Sequence, residues 1–152
     1  MKLDQLEKDI MTLVQKDGRE SFVDIAEKVG VTEGTVRRRF YRLVDEGVIK
    51  ISAVSDPFQI GFDSPAIIGL NVEPGRIDEI AEHLAGMEPI HFVGITTGDF
   101  DVIVHGVFSS NDELSRFVRQ QISTIDGIVD INTSLLLTIT KRSFEWGVPD
   151  NE

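Results

Sequence analysis

Apolar residues recur at spacings of three and four through Leu3, Leu6, Ile10, Leu13 and Val14, which predicts one amphipathic helix closed by Lys16-Asp17-Gly18. Ser21 is placed to cap a second helix, with Asp24 three residues on as an approximate capping box and Phe22, Ile25, Ala26 and Val29 on its inner face. Gly30-Val31-Thr32 reads as a short turn, its glycine suited to a left-handed backbone. Thr32 is then the cap of a third helix running to about Glu46 and stopping at Gly47. Residues 48–54, VIKISAV, have strand composition and are expected to pair as a wing or to serve as a linker, which Ser55-Asp56-Pro57 breaks.

From Ala66 the pattern changes to β-α-β-β-α-β. Strands are expected at Ala66–Val72, Ile90–Thr97, Asp101–Phe108 and Val129–Thr140. One helix carries Ile77, Ile80, Ala81 and Leu84 inward and ends at Gly86. The other starts at Ser110 or Asn111, carries Leu114, Phe117, Val118, Ile122 and Ile125 inward, and ends at Gly127. This order is the ferredoxin-like split-βαβ motif with an antiparallel sheet. Right-handed crossovers put both helices on one face of that sheet. The strands are nevertheless apolar on both faces: Ile67, Ile68, Leu70 and Val72, then Val102 to Val104 with Val107 and Phe108, then Leu135 to Leu137. A second copy related by two-fold symmetry is the simplest cover for the bare face. The fold class is therefore α+β: a three-helix winged helix-turn-helix over residues 1–50, a linker over 51–63, a ferredoxin-like dimerisation domain over 64–142, and a tail over 143–152. In that tail Trp146 and Phe144 either pack across a neighbouring subunit or fray, and residues 149–152 are expected to lack order.

Charge separates the two parts. Residues 1–50 hold ten Lys or Arg and ten Asp or Glu, whereas residues 51–152 hold five and sixteen, so the whole net charge of −11 belongs to the second part. Four of the five arginines in the first part are Arg37, Arg38, Arg39 and Arg42. On a helical wheel Val36, Phe40, Leu43 and Val44 face one way and Gly34, Arg38, Tyr41 and Arg42 the other. A guanidinium fork can bond guanine O6 and N7 in the major groove or grip phosphate, and a helix N-terminus favours phosphate. A glycine at position 34 lets the helix start approach a duplex closely. The spacing of the second and third helices is that of a helix-turn-helix reading double-stranded DNA. The expected DNA-facing residues are Thr32, Gly34, Thr35, Arg37, Arg38, Tyr41 and Arg42. Thr35 and Arg38 are expected at base edges, Arg37, Tyr41 and Arg42 at phosphates or flanking bases, and Arg39 in a pair with an acid inside the module.

No cysteine is present, which excludes disulfides, thiolate zinc sites and cysteine catalysis and fits a cytoplasmic location. No secretory leader and no membrane-spanning run is read at the N-terminus or elsewhere. His83, His91 and His105 lack metal-ligand spacing, and Asp99-Phe100-Asp101 reads more simply as a solvated turn than as a metal site. No hydrolase elbow, phosphate loop or dinucleotide fingerprint occurs, so no catalytic residue, metal or cofactor is expected.

The chain resembles the leucine-responsive regulator/asparagine regulator (Lrp/AsnC) family over nearly its whole length. The matching stretches are Leu3-Asp4, Asp9-Ile10, Asp17-Gly18-Arg19, Ile25-Ala26, Val29-Gly30-Val31-Thr32, Thr35-Val36, Arg39, Arg42-Leu43 and Gly47-Val48-Ile49. In the second part they are the split-βαβ order and Thr97-Gly98-Asp99-Phe100-Asp101. It departs from the family pattern at Val44, where a glutamate is usual, and in the linker Ile51–Asp56, which lacks the common tyrosine. The resemblance implies homodimers that assemble further, to tetramers or octamers, bind pseudo-palindromic DNA, and respond to a small-molecule effector such as an amino acid. It places the effector between neighbouring C-terminal domains at the turn of Thr97, Gly98, Asp99 and Asp101. There Gly98 would expose N–H groups to a carboxylate, and Asp99 or Asp101 would hold an ammonium group. Two other readings are a haem-pathway decarboxylase of similar architecture, using His91 or His105, which leaves the arginine-rich helix unexplained, and a metabolite-binding module that no longer binds DNA, which the acidity favours.

Overall fold

The computed structural model describes residues 3–143 and 146–148, so Phe144 and residues 149–152 of the expected tail lie outside the described residues. The chain divides into two compact units, one of Met1–Ala53 with Thr140–Glu152 and one of Val54–Ile139. No helix among the described residues is long and apolar enough to cross a membrane.

The first unit is built on α1 (Gln5–Lys16), α2 (Phe22–Val29) and α3 (Glu33–Asp45). Each starts at a side chain that accepts an otherwise unpaired amide. Asp4 accepts from Glu7 N–H, Ser21 from Asp24 N–H and Thr32 from Thr35 N–H. The Asp4 cap is reciprocal, since the Glu7 carboxylate accepts from Asp4 N–H. The turn between α2 and α3 needs Gly30 at φ 72°, and α3 ends before Gly47 at φ 71°. Ile10, Ile25, Ala26 and Val36 meet in a small core, flanked by Leu6, Leu13, Phe22, Val29 and Phe40. Residues 48–54 form no strand. A single extended segment needs a partner for its backbone groups before it becomes a strand.

In the second unit a one-turn helix at Pro57–Ile60, inside the expected linker, precedes β1 (Ala66–Val72), α4 (Ile77–Ala85), β2 (Ile90–Ile95), β3 (Val102–Gly106), α5 (Asn111–Phe117) and β4 (Ile128–Leu135). The sheet is antiparallel with order β2-β3-β1-β4. α5 continues into a single π turn at Val118–Ile122. β4 is shorter than expected. Its last pair is Leu135 with Ala66, after which Leu136 N–H donates to Pro65 O. Pro65 has no N–H to return, so the ladder stops there. β2 and β3 also end sooner than their composition suggests, leaving residues 96–101 to the connecting turn.

Alternation along the strands assigns two faces. Ala66, Ile68, Leu70, Val72, Val102 and Val104 pack against Ile80 and Leu84 of α4 and Leu114 and Phe117 of α5 in the larger core. The opposite face carries Ile67, Gly69 and Asn71 of β1, Ile103 and His105 of β3, and Phe92 and Gly94 of β2, with Phe92 56% exposed. The Phe100 ring lies flat over Gly69 on this side: a Cβ at residue 69 would sit 2.6 Å from it.

Candidate nucleic-acid interface and ligand-binding turn

α3 presents its apolar side inward. Val36 and Leu43 are fully buried and Phe40 and Val44 partly so. At the helix start, Thr32 Oγ1 accepts from Thr35 N–H at 3.3 Å and lies 3.0 Å from Thr35 Oγ1. Nothing stands within 4 Å of where a Cβ would be at Gly34, so this end of the helix has an open approach.

The four arginines divide by what meets them. Arg37 bonds Glu33 at 2.6 Å, one turn back, and its guanidinium sits 5.1 Å from the Phe22 ring centroid. The Glu33 carboxylate holds Arg37 above the ordinary guanidinium range. Phe22, Phe40 and Tyr41 form an aromatic cluster, with centroid separations of 5.1, 6.1 and 5.6 Å, and Tyr41 stays half exposed at its edge. Arg39 reaches Glu7 and Asp4, each at 3.0 Å, which supplies the internal acid expected for it. Arg42 was expected among the phosphate contacts. Its guanidinium bonds Glu7, with Glu46 at 3.7 Å, while its side chain stays 42% exposed. Arg38 is exposed and has no charged or hydrogen-bonding partner among the described residues.

Glu7 is the residue that pattern reading missed. Its side chain is 1% exposed, and it lies 32 and 35 positions from its two arginine partners. The signal within reach was the Asp4-x-x-Glu7 capping spacing, which fixes where this carboxylate starts but not that α3 closes over it.

In the sheet unit, the turn from β2 to β3 exposes Thr97, Gly98 and Asp99, with Gly98 at φ 119°, a conformation that side-chain-bearing residues rarely adopt. Thr96 N–H donates to Asp101 O and Asp101 N–H to Leu70 O, both at 2.9 Å. Asp101 Oδ2 accepts from Val72 N–H at 2.9 Å, and Asn71 Nδ2 donates to Asp99 O at 2.8 Å. Asp101, which with Asp99 was one of two carboxylates expected for an ammonium group, thus bonds the backbone at the irregularity in the β1–β4 register between Asn71 and Val72. Asp99 is the carboxylate that remains exposed. A separate groove of about 570 Å³ lies between α4 and the end of α5, lined by residues including Arg76, His83, Gln121 and Asp126, and does not include the turn. Arg76 there is bonded to Glu79 and Asp126. Among the described residues no group of three or more His, Asp or Glu could hold a metal ion.

A helix-turn-helix with a basic reading helix, followed by a βαββαβ sheet domain, is the build of a ligand-responsive transcriptional regulator. Residues 3–50 match the model of a winged helix-turn-helix DNA-binding domain, and residues 65–146 match that of the Lrp/AsnC ligand-binding domain. The chain belongs to the Lrp/AsnC family of transcriptional regulators, which is a family of regulators and not of enzymes. An HTH-type transcriptional regulator of Pyrococcus horikoshii is 36% identical over 148 residues, covering 97% of this chain and 91% of that protein. The regulator FL11 of Pyrococcus furiosus is 33% identical over 147 residues, covering 96% and 97%. Among solved structures, E. coli AsnC superposes with a TM-score of 0.82 at 22% identity, covering 93% of this chain and 97% of that one. A transcriptional regulator of Neisseria meningitidis, solved as an L-methionine complex, superposes with a TM-score of 0.85 at 22% identity, covering 97% of both chains.

Proposed function

We propose that the chain is a homo-oligomeric, sequence-specific DNA-binding regulator whose ligand domain answers to an amino acid or a related metabolite. The observation that carries the DNA reading is the outward side of α3. Thr32, Gly34 and Thr35 form an open helix start, Arg37 and Tyr41 flank it, and Arg38 alone among the four arginines of this helix keeps an uncommitted guanidinium. Residues 1–50 would bind the duplex, residues 64–142 would oligomerise and hold the effector, and residues 51–63 would join them. Two-fold pairing would cover the sheet face that carries Ile67, Phe92 and Ile103. The turn at Thr97, Gly98 and Asp99 offers backbone donors and one exposed carboxylate, a match for the two charged ends of an amino acid. The Neisseria relative solved with L-methionine supports that ligand class.

The test is selection of genomic fragments with the purified chain, with and without pooled amino acids, followed by binding measurements on the recovered operator. Arg38→Ala should weaken operator binding by about 1–3 kcal/mol and relax preference at one base position. Unchanged affinity and preference in that variant would remove Arg38 as the reader. Asp99→Asn should abolish any amino-acid effect while leaving operator binding intact.

A further inference from the structure

We propose that Glu7 sets how much positive charge α3 offers to DNA, by holding Arg39 and Arg42 inside the helical unit and leaving base reading to Arg38. This rests on the DNA-reading role just described and adds a residue that fixes specificity from behind the helix.

Both Glu7 oxygens are in use. Oε2 accepts from Asp4 N–H at 3.1 Å, and Oε1 accepts from Arg39 at 3.0 Å and from Arg42. The second oxygen of Asp4 lies 3.0 Å from Arg39. The Nε–H of Arg39 is buried with no hydrogen-bond partner among the described residues, and the contacts that hold this side chain run from its Nη1 to the two carboxylates. Glu7 itself is 1% exposed, whereas the side chains of Arg39 and Arg42 keep 25% and 42% of their surface. The arginines therefore lie within reach of solvent, and of a phosphate, while their shared counter-charge does not.

That asymmetry decides where the guanidiniums stay. A duplex phosphate that drew Arg42 outward would leave a sealed carboxylate short of one partner, and breaking a buried ion pair from one side costs more than one solvent-exposed phosphate contact returns. An arginine does not lose its charge at any pH the fold survives, so its availability to DNA is a matter of position alone. Phosphate contacts strengthen binding to every sequence, whereas base contacts distinguish them. Withholding two charges lowers the sequence-independent part of binding and leaves Arg38 untouched, so the ratio of specific to non-specific affinity rises.

The experiment is salt-titrated binding of the full chain to a mixed-sequence DNA duplex. Each phosphate neutralised adds about 0.9 to the steepness of log affinity against log salt. Arg42→Gln should leave that steepness unchanged, because a guanidinium held by Glu7 neutralises no phosphate. Glu7→Gln should increase it by about 0.9 for each guanidinium released, and Arg42→Gln added to Glu7→Gln should take that increase away. Should Glu7→Gln fail to fold by circular dichroism, Arg42→Gln and Arg42→Lys at the partly exposed position carry the test. A drop in steepness of about 0.9 for Arg42→Gln would show Arg42 already on phosphate and overturn the proposal. Wild-type binding that ignores salt would overturn the DNA reading itself, and this inference with it.

Discussion

The two units bury their side chains by different means. In the sheet unit one continuous apolar cluster runs from Ala66 on β1 through Ile80 and Leu84 to Phe108, Phe117 and Ile122, and the buried polar residue of this unit, among the described residues, is the neutral Ser64. In the helical unit the cluster is confined to Ile10, Ile25, Ala26 and Val36 with their neighbours, and a carboxylate, Glu7, is sealed beside it. A small three-helix unit has little apolar surface to bury, so hydrophobic burial fixes its helices less firmly. A directional ion-pair cluster across α1 and α3 supplies the missing orientation. In an ion pair geometry matters more than area, and geometry is what a DNA-reading helix needs. This contrast predicts which substitutions each unit tolerates.

The largest effect should fall in the apolar cluster. Phe108 is fully buried with its ring 5.2 Å from that of Phe117, so Phe108→Ala should cost about 3–5 kcal/mol, read by urea unfolding of the sheet unit. Next comes the ionic device. Glu7→Gln should destabilise the helical unit by about 1–3 kcal/mol, less than for a fully buried pair because Arg42 stays 42% exposed and can rehydrate. A loss equal to that of Phe108→Ala would erase the distinction between the units. Thr32→Ala removes the cap of α3 and should cost about 1 kcal/mol in thermal unfolding. The smallest effect is electrostatic. The Ser109 hydroxyl and N–H hold Glu113 below the ordinary carboxylate range. Its folded pKa is depressed, so its contribution is present at neutral pH and lost as pH falls through that depressed value. Glu113→Gln should slightly flatten the acid limb of a stability-against-pH curve and leave the neutral plateau nearly in place.

Local chemistry was the legible part of both units. Ser21, Thr32, Gly30 and Gly47 act at the positions their chemistry suggests, and β1 runs from Ala66 to Val72 as the apolar run does. What escaped depends on partners far away in the chain. Residues 48–54 look like a strand but form none among the described residues, and β4 stops where Pro65 stands opposite, which the composition of Leu135-Leu136-Leu137 does not reveal. At the sites the same holds. The wheel placed Arg38 and Arg42 on the exposed side of α3, where both lie, but a wheel cannot see that a carboxylate from α1 meets Arg42 and not Arg38. The bond from Val72 N–H to Asp101 joins residues 29 apart and lies equally beyond local pattern.

The aromatic ring pressed against Gly69 ties two places that seem separate. Phe100 belongs to the exposed turn, yet its ring rests at the middle of the central strand, where even one added methyl group would collide with it. Position 69 therefore admits no side chain unless the ring of Phe100 gives way, so the smallest residue in the strand is the seat of an aromatic group from the loop.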